Sequence, residues 1–222
     1  MKRVYVQAEL GHQQIMSMFD KRFDHFVTHT KEHADLLVFT GGADVNPQLY
    51  GCHKYKTTYF DEQRDARDLD LFRYGRSVNK PMVGICRGGQ FLNVCMHGKL
   101  YQDVDNHGLA APFTHKITDV ATKKTYEVSS THHQMMVPGQ GAITMAFAEC
   151  SVKRMYTPPL STGKAGQNAT IADFRNTSHD TEAVYYPKQK ILCFQPHPEY
   201  NYGDTEEYFF DLLSRTIWRD KA

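Results

Sequence analysis

Two short stretches of the chain carry side chains of types that do covalent chemistry. The first is GICRGGQ, residues 84–90, in which Cys86 stands between Gly84 and Gly88 at the end of an apolar run from Met82 to Ile85. A strand that turns sharply into a helix needs small neighbours, because the turn is strained and the flanking chain passes close. A thiol at such a turn also feels the positive end of the helix dipole, which favours the thiolate. A small buried cysteine at a tight strand–helix join fits the same residues, so GICRGGQ by itself leaves both readings open. The second stretch is QPHPE, residues 195–199. His197 and Glu199 are two apart, and in extended chain such side chains point to one side. Pro196 and Pro198 bias Gln195 and His197 toward that extended backbone. A carboxylate beside an imidazole fixes its tautomer and stabilises the imidazolium, leaving the far nitrogen to take a proton from a nucleophile. Cys86, His197 and Glu199 together make a nucleophile–base–orienter set, and this decides for a presented cysteine.

The elements that must position these residues follow an α/β rhythm. KRVYVQA reads as a strand, HQQIMSMFDKR as a helix, FDHFVTHT and ADLLVFTGG as strands. DEQRDARDLDLFRYGRSVNK reads as a helix with Ala66, Leu69 and Phe72 on its apolar face, feeding the strand MVGI and then the helix QFLNVCMHG. The second half predicts the short strands KITDV, KTYEVSS, AITMAFAEC, ATIADF, TEAVYY and KILCFQ, then a closing helix in DTEEYFFDLLSRTIW with Asp204 and Glu207 as a capping box. Residues 157–170, TPPLSTGKAGQNAT, read as a surface loop or flap. Alternation of this kind gives an α/β fold, a three-layer α/β/α sandwich on a mainly parallel sheet, with Cys86 at the carboxyl edge of a central strand.

Composition narrows the function classes. The 222 residues carry 26 basic and 25 acidic side chains, a net charge of +1, so no overall field favours nucleic acid or an anionic membrane. One domain over 1–222 is expected from the length. MKRVYVQAEL lacks a long apolar segment, and no run approaches the length of a membrane span, so a soluble, cytoplasmic chain is expected. Five cysteines, odd in number and without C-x-x-C spacing, read as free thiols. No metal and no cofactor are expected. His25, His29 and His33 have the spacing of a helical metal site, but their segment is β-rich in type. Cys95 and Cys193 read as core residues.

GICRGGQ, FTGGADVNPQLYG (39–51) and QPHPE, in this order, resemble the class I glutamine amidotransferase-like superfamily, specifically its γ-glutamyl hydrolase branch, which includes the γ-glutamyl-γ-aminobutyrate hydrolases. EQRDARDLDL (62–71), GKLYQD (98–103), SSTHHQ (129–134) and TEAV (181–184) are lesser matches, so the resemblance spans about residues 35–203. It implies the flavodoxin-like fold of that superfamily. It also implies a cysteine hydrolase that cleaves the γ-glutamyl C–N bond of glutamine or a γ-glutamyl amine through a thioester on Cys86, with His197 as base and acid and Glu199 as its orienter. Backbone N–H groups near Gly42 and of Arg87 would hold the oxyanion. Gln90 and the loop Ser130, Thr131, His132, His133 and Gln134 would hold the glutamyl end, with Gln90 and His132 foremost. The partner is then a small γ-glutamyl substrate. A partner synthetase is implied if the chain is instead the glutaminase component of an amidotransferase, and an inactive binding homologue is the third reading. Pro196 stands where the family often has tryptophan, residues 151–180 have little likeness to it, and the Arg87 side chain has no assigned role.

Overall fold

The structure is a computed structural model that describes residues 2–22, 24–108, 113–151, 154–156, 169–170 and 179–219. The expected flap at 157–170 and the expected strand ATIADF lie almost wholly outside these residues. The first half contains β1 (Lys2–Val6), α1 (His12–Asp20), β2 (His25–Val27), β3 (Leu36–Phe39), α2 (Glu62–Ser77), β4 (Met82–Ile85) and α3 (Arg87–Cys95). The strands β5 (Lys99–Tyr101), β6 (Asp103–Val104), β7 (Thr114–Asp119), β8 (Thr125–Ser129), β9 (Met135–Val137) and β10 (Ile143–Ala148) follow. Last come β11 (Arg154–Tyr156), β12 (Ala169–Thr170), β13 (Asp180–Tyr186), β14 (Ile191–Phe194) and α4 (Thr205–Thr216).

Nine strands form one sheet in the order β2-β1-β3-β4-β14-β13-β10-β7-β8. From β2 to β14 the pairs are parallel, and from β14 to β8 they are antiparallel. The parallel half reads in the sequence as continuous apolar runs because both faces are covered, and every residue of β3, β4 and β14 is buried. Ile15, Phe19, Tyr208, Phe209 and Leu213 from α1 and α4 pack on one face, while Leu71, Phe91 and Leu92 from α2 and α3 pack on the other. The result is helix, sheet, helix in three layers.

Register explains why distant segments meet. β4 lies between β3 and β14, with Gly84 opposite Phe39 on one side and Ile85 opposite Phe194 on the other. The chain leaving β3 is Thr40-Gly41-Gly42, the chain leaving β4 is Cys86, and the chain leaving β14 is Gln195 to Glu199. All three emerge at the carboxyl edge of parallel strands, where open α/β sheets present their ligands.

Two helices differ from the sequence expectation. In α2 the buried residues are Arg64, Asp65, Asp68, Leu71 and Gly75, whereas Ala66 is exposed. The helix turns a charged face inward. At α4, Asp204 makes no capping hydrogen bond to its own helix. Its carboxylate accepts from the Glu127 N–H at 2.9 Å and its own N–H donates to Glu127 O at 2.7 Å, so it stitches α4 to β8. His25 lies in β2 and its ring meets Phe19 and Phe210 at 5.5 and 5.6 Å, away from the metal arrangement that helical spacing would give.

Asp119, fully buried at the end of β7, ties α4 to the sheet through Arg215 at 2.6 Å and Tyr208 at 2.8 Å. Burial alone would raise its pKa, but hydrogen bonds from Arg215, the Thr122 backbone and Tyr208 outweigh burial and hold it down at about 2. A depressed carboxylate contributes stability above its unfolded pKa of about 4 and loses it as pH falls through the folded value. Asp119→Asn is therefore expected to cost about 2 kcal/mol at neutral pH in urea unfolding, with the gap to wild type closing between about pH 4 and pH 2. A gap independent of pH would contradict this role.

Candidate active site

Cys86 occupies the sharp turn between β4 and α3 with φ 50° and ψ −114°, a conformation that L-residues rarely adopt. Its N–H donates to Phe194 O at 2.7 Å and its carbonyl accepts from Gln90 N at 3.0 Å, so strand β14 on one side and helix α3 on the other hold the turn. Crowding explains the glycines. A Cβ on Gly84 would come within 2.3 Å of the Gly88 backbone, and one on Gly88 within 2.3 Å of Phe39 O. Any side chain at either position would push the elbow off the sheet.

His197 follows β14 with extended backbone, φ −103° and ψ 95°. Its Nδ1 lies 2.7 Å from Glu199 Oε1. Burial by itself would lower the imidazole pKa. Coupling to Cys86, a hydrogen bond with the Cys86 side chain, and Glu199 outweigh burial and raise the pKa well above the ordinary histidine value. Both main-chain polar groups of His197 engage Ser129: its N–H donates to Ser129 Oγ at 2.6 Å and its carbonyl accepts from that hydroxyl at 3.2 Å. Ser129 N in turn donates to Thr205 Oγ1 at 2.9 Å, which fastens the imidazole to the start of α4. Tyr200 stacks on the imidazole, with centroids 4.4 Å apart and planes 2° from parallel. Its ring covers one face of His197 while remaining open to solvent on the other.

The Gly41-Gly42 segment lies against the same imidazole. A Cβ on Gly41 would sit 2.8 Å from His197 Cε1, and Gly42 has φ +142°, in the region that favours glycine. Arg64 holds this segment from below, donating from Nη1 to Gly41 O at 3.3 Å and from Nη2 to Thr40 O at 3.1 Å. Its Nε reaches Asp68 at 3.1 Å. The Arg87 side chain, 1% exposed, runs beneath α3 and pairs with both Asp65 and Asp68. Burial, then the neighbouring Arg64, lowers the Arg87 pKa to about 10, which still leaves it cationic at neutral pH. Asp65 Oδ2 also accepts from Asn46 N at 3.1 Å. Residues 64, 65, 68 and 87 thus form one buried charge network that joins the Gly41-Gly42 loop to the elbow. This supplies the missing role for Arg87 and the purpose of the EQRDARD match.

Two expected substrate contacts are placed differently. Gln90 is 3% exposed, and its amide nitrogen donates to Gln134 O and to Gln195 Oε1, both at 3.2 Å. Both of its N–H donors are committed inside the protein, so Gln90 orders Gln195, whose own amide lies 3.8 Å from Cys86 Sγ. His132 turns inward: its Nδ1 donates to Gln134 O at 2.9 Å and its Nε2 faces Glu182. Burial lowers the His132 pKa to about 3, despite the nearby Glu182. Ser130 and Thr131 remain at the loop, and neither hydroxyl has a hydrogen-bond partner among the described residues. His133 is the histidine that faces outward, bridging Asp44 at 3.1 Å and Asp103 at 3.3 Å. Ser129, Gln195 and Tyr200 escape sequence reasoning. Only the position of Gln195 and Tyr200 beside the PHPE segment could have drawn attention to them.

The fold and this arrangement define a class I glutamine amidotransferase architecture. A GMP synthase subunit of Thermoplasma acidophilum superposes with a TM-score of 0.59 at 15% identity, covering 95% of this chain and 91% of its own. A glutamine amidotransferase of Thermotoga maritima gives 0.53 at 13% identity, covering 98% and 85%. Residues 16–199 match the Peptidase C26 family. The glutamine amidotransferase-like protein YvdE of Lactococcus lactis is 35% identical over 206 residues, which are 91% of this chain and 80% of YvdE. A Schizosaccharomyces pombe protein named as a glutamine amidotransferase is 34% identical over 196 residues, 84% of this chain and 72% of its own. The chain belongs to the Peptidase C26 family, within the class I glutamine amidotransferase-like superfamily. Among the described residues no helix is long and apolar enough to cross a membrane.

Arg87→Ala leaves two buried aspartates with Arg64 as their remaining guanidinium partner. Urea unfolding is expected to show a loss of about 3–5 kcal/mol. A loss below about 1 kcal/mol would show that the network does not hold the elbow.

Proposed function

We propose that the protein is a cysteine hydrolase that cleaves the γ-glutamyl C–N bond of glutamine or a γ-glutamyl amine, releasing glutamate and ammonia or an amine. The observation that carries this reading is Cys86, fixed at φ 50° on the elbow beside a histidine that a carboxylate grips at 2.7 Å. Membership of a glutamine amidotransferase-like family supports the choice of a γ-glutamyl carbonyl.

In this mechanism the Cys86 sulfur attacks the γ-carbonyl carbon while His197 takes its proton. The C–S bond forms and the carbonyl oxygen becomes an oxyanion, held by the backbone N–H groups of Arg87 and of the Gly42 region. Collapse breaks the C–N bond, and the proton on His197 passes to the departing nitrogen. The raised pKa of His197 favours the protonated state that this step needs. Water then attacks the thioester with His197 as base, releasing glutamate and restoring the thiol. Glu199 and Ser129 hold the imidazole at its side chain and its main chain, Gln195 lies beside the sulfur, and the Ser130 and Thr131 hydroxyls bind the polar glutamyl end. All five cysteines are unpaired, which fits work in the reducing cytoplasm.

A second reading is a glutaminase component that delivers ammonia to a partner synthetase, favoured by relatives named as amidotransferases. Incubating wild type and Cys86→Ala with glutamine and a panel of γ-glutamyl amines, and measuring glutamate, separates the readings. Turnover of γ-glutamyl amines by the lone wild-type protein, lowered at least about 10³-fold in Cys86→Ala, is expected. Glutamine turnover only with an added partner favours the second reading. Equal behaviour of the two proteins would overturn both.

A further inference from the structure

Behind the 130–134 loop lies a second group of reactive side chains that the proposed hydrolysis does not use. His107, His115, His132 and Glu182 come from four separate segments, and one ligand atom of each lies within 4.8 Å of all the others. Glu182 Oε1 is the centre, 3.4 Å from His107 Nδ1, 3.1 Å from His115 Nε2 and 3.8 Å from His132 Nε2. Donor atoms around a tetrahedral zinc ion, with bonds of about 2.0–2.1 Å, stand roughly 3.3 Å apart. The three separations bracket that value.

The hydrogen bonds around the group fix which nitrogens point inward. His132 Nδ1 faces the Gln134 carbonyl at 2.9 Å, and a carbonyl only accepts, so this nitrogen carries the proton and Nε2 presents a lone pair. His107 Nε2 faces Asp180 Oδ2 at 3.0 Å, so Nδ1 presents a lone pair by the same reasoning. Asp180 itself is an orienting group, because it also accepts from the Cys150 and Ser151 N–H groups and from Arg154. Carboxylates and carbonyls that grip the outer nitrogen of a ligating imidazole are the usual second layer of a metal site. The inward atoms His107 Nδ1, His115 Nε2, His132 Nε2 and both Glu182 oxygens have no aligned hydrogen bond among the described residues, and His107, His132 and Glu182 are at least 95% buried. Lone pairs of neutral imidazoles converging on a carboxylate repel unless a cation or added protons stand among them.

We propose that His107, His115, His132 and Glu182 bind one divalent transition-metal ion, zinc being the best match to three imidazoles and a carboxylate. This goes beyond the reading of the catalytic cysteine and departs from the sequence expectation of no metal. A cavity of about 390 Å³, lined by His115, Phe147 and Cys150 among others, gives the ion an entry path. The ion would have a structural consequence for the active site. His132 N donates to His107 O at 2.9 Å, Gln134 O accepts from Gln90, and Glu182 O accepts from Gln195 N at 2.8 Å. Four ligands on four segments would lock the loop that follows Ser129 onto β13, and through it the residues around Cys86.

The test uses protein purified without immobilised metal and dialysed against a chelator. Zinc sulfate is titrated with elemental analysis, cobalt chloride is titrated while visible absorption is recorded, and unfolding is followed with and without zinc. About one equivalent of zinc, a tetrahedral cobalt spectrum, and a rise in Tm of about 5 °C are expected. His115→Asn, which alters the ligand beside the cavity, and Glu182→Gln are expected to lose these signals while circular dichroism shows a folded chain. If either variant fails to fold, the wild-type isotherm and cobalt spectrum decide. Folded wild type that binds no stoichiometric metal, or folded variants that bind it as wild type does, would overturn the proposal in favour of a proton-held cluster or adventitious surface binding.

Discussion

Four charges buried beneath the elbow set the terms for everything above them. Arg64, Asp65, Asp68 and Arg87 are each at most 6% exposed, and in such surroundings an unpaired charge is too costly to persist. Each must therefore keep its partner, and the partners lie on α2 and α3. Because Arg64 also donates to Thr40 O and Gly41 O, the pairing fixes the loop after β3 relative to the turn after β4. Those are the two segments whose backbone N–H groups would face a developing oxyanion. The network acts as a ruler between them.

Sheet register does the remaining alignment. Parallel pairing of β3, β4 and β14 delivers three chain exits to one edge, and the glycines at 84, 88 and 89 let α3 press against the strands closely enough to keep Cys86 above that edge. His197 is then held from two directions, by Glu199 through the ring and by Ser129 through the main chain. A run of amides, Gln134 to Gln90 to Gln195, ends 3.8 Å from the Cys86 sulfur. Such double support limits the reacting groups to small displacements, which is what efficient proton transfer between a thiol and an imidazole requires.

How much of this could be read in advance depended on whether a signal was local. The elbow was legible because its glycines neighbour the cysteine in sequence, and the His197–Glu199 contact was legible because two prolines enforce the backbone between them. The parallel strands declared themselves as apolar runs. Helix α2 did not: Ala66, Leu69 and Phe72 suggested an apolar inner face, while the buried face carries Arg64, Asp65 and Asp68, whose pairing depends on Arg87 in the next helix. Periodicity measures hydrophobicity and is blind to charges neutralised by tertiary partners. The same limit applies to Asp204, which caps nothing in α4 because β8 claims its side chain. His107, His115, His132 and Glu182 lie far apart in the chain and meet only through the antiparallel half of the sheet, so no spacing announced them. His132 and Gln90, expected at the substrate, are engaged inside the protein instead.

The central claim is that Cys86 is presented for attack on a γ-glutamyl carbonyl by a turn that the buried charges hold in place. Acid-quenched mass spectrometry of the protein during turnover of a γ-glutamyl amide tests it most directly. The account predicts one γ-glutamyl group on the peptide containing Cys86, labile to hydroxylamine as a thioester is, and absent from Cys86→Ala. Steady turnover with no such adduct, or an adduct on another cysteine, would contradict it.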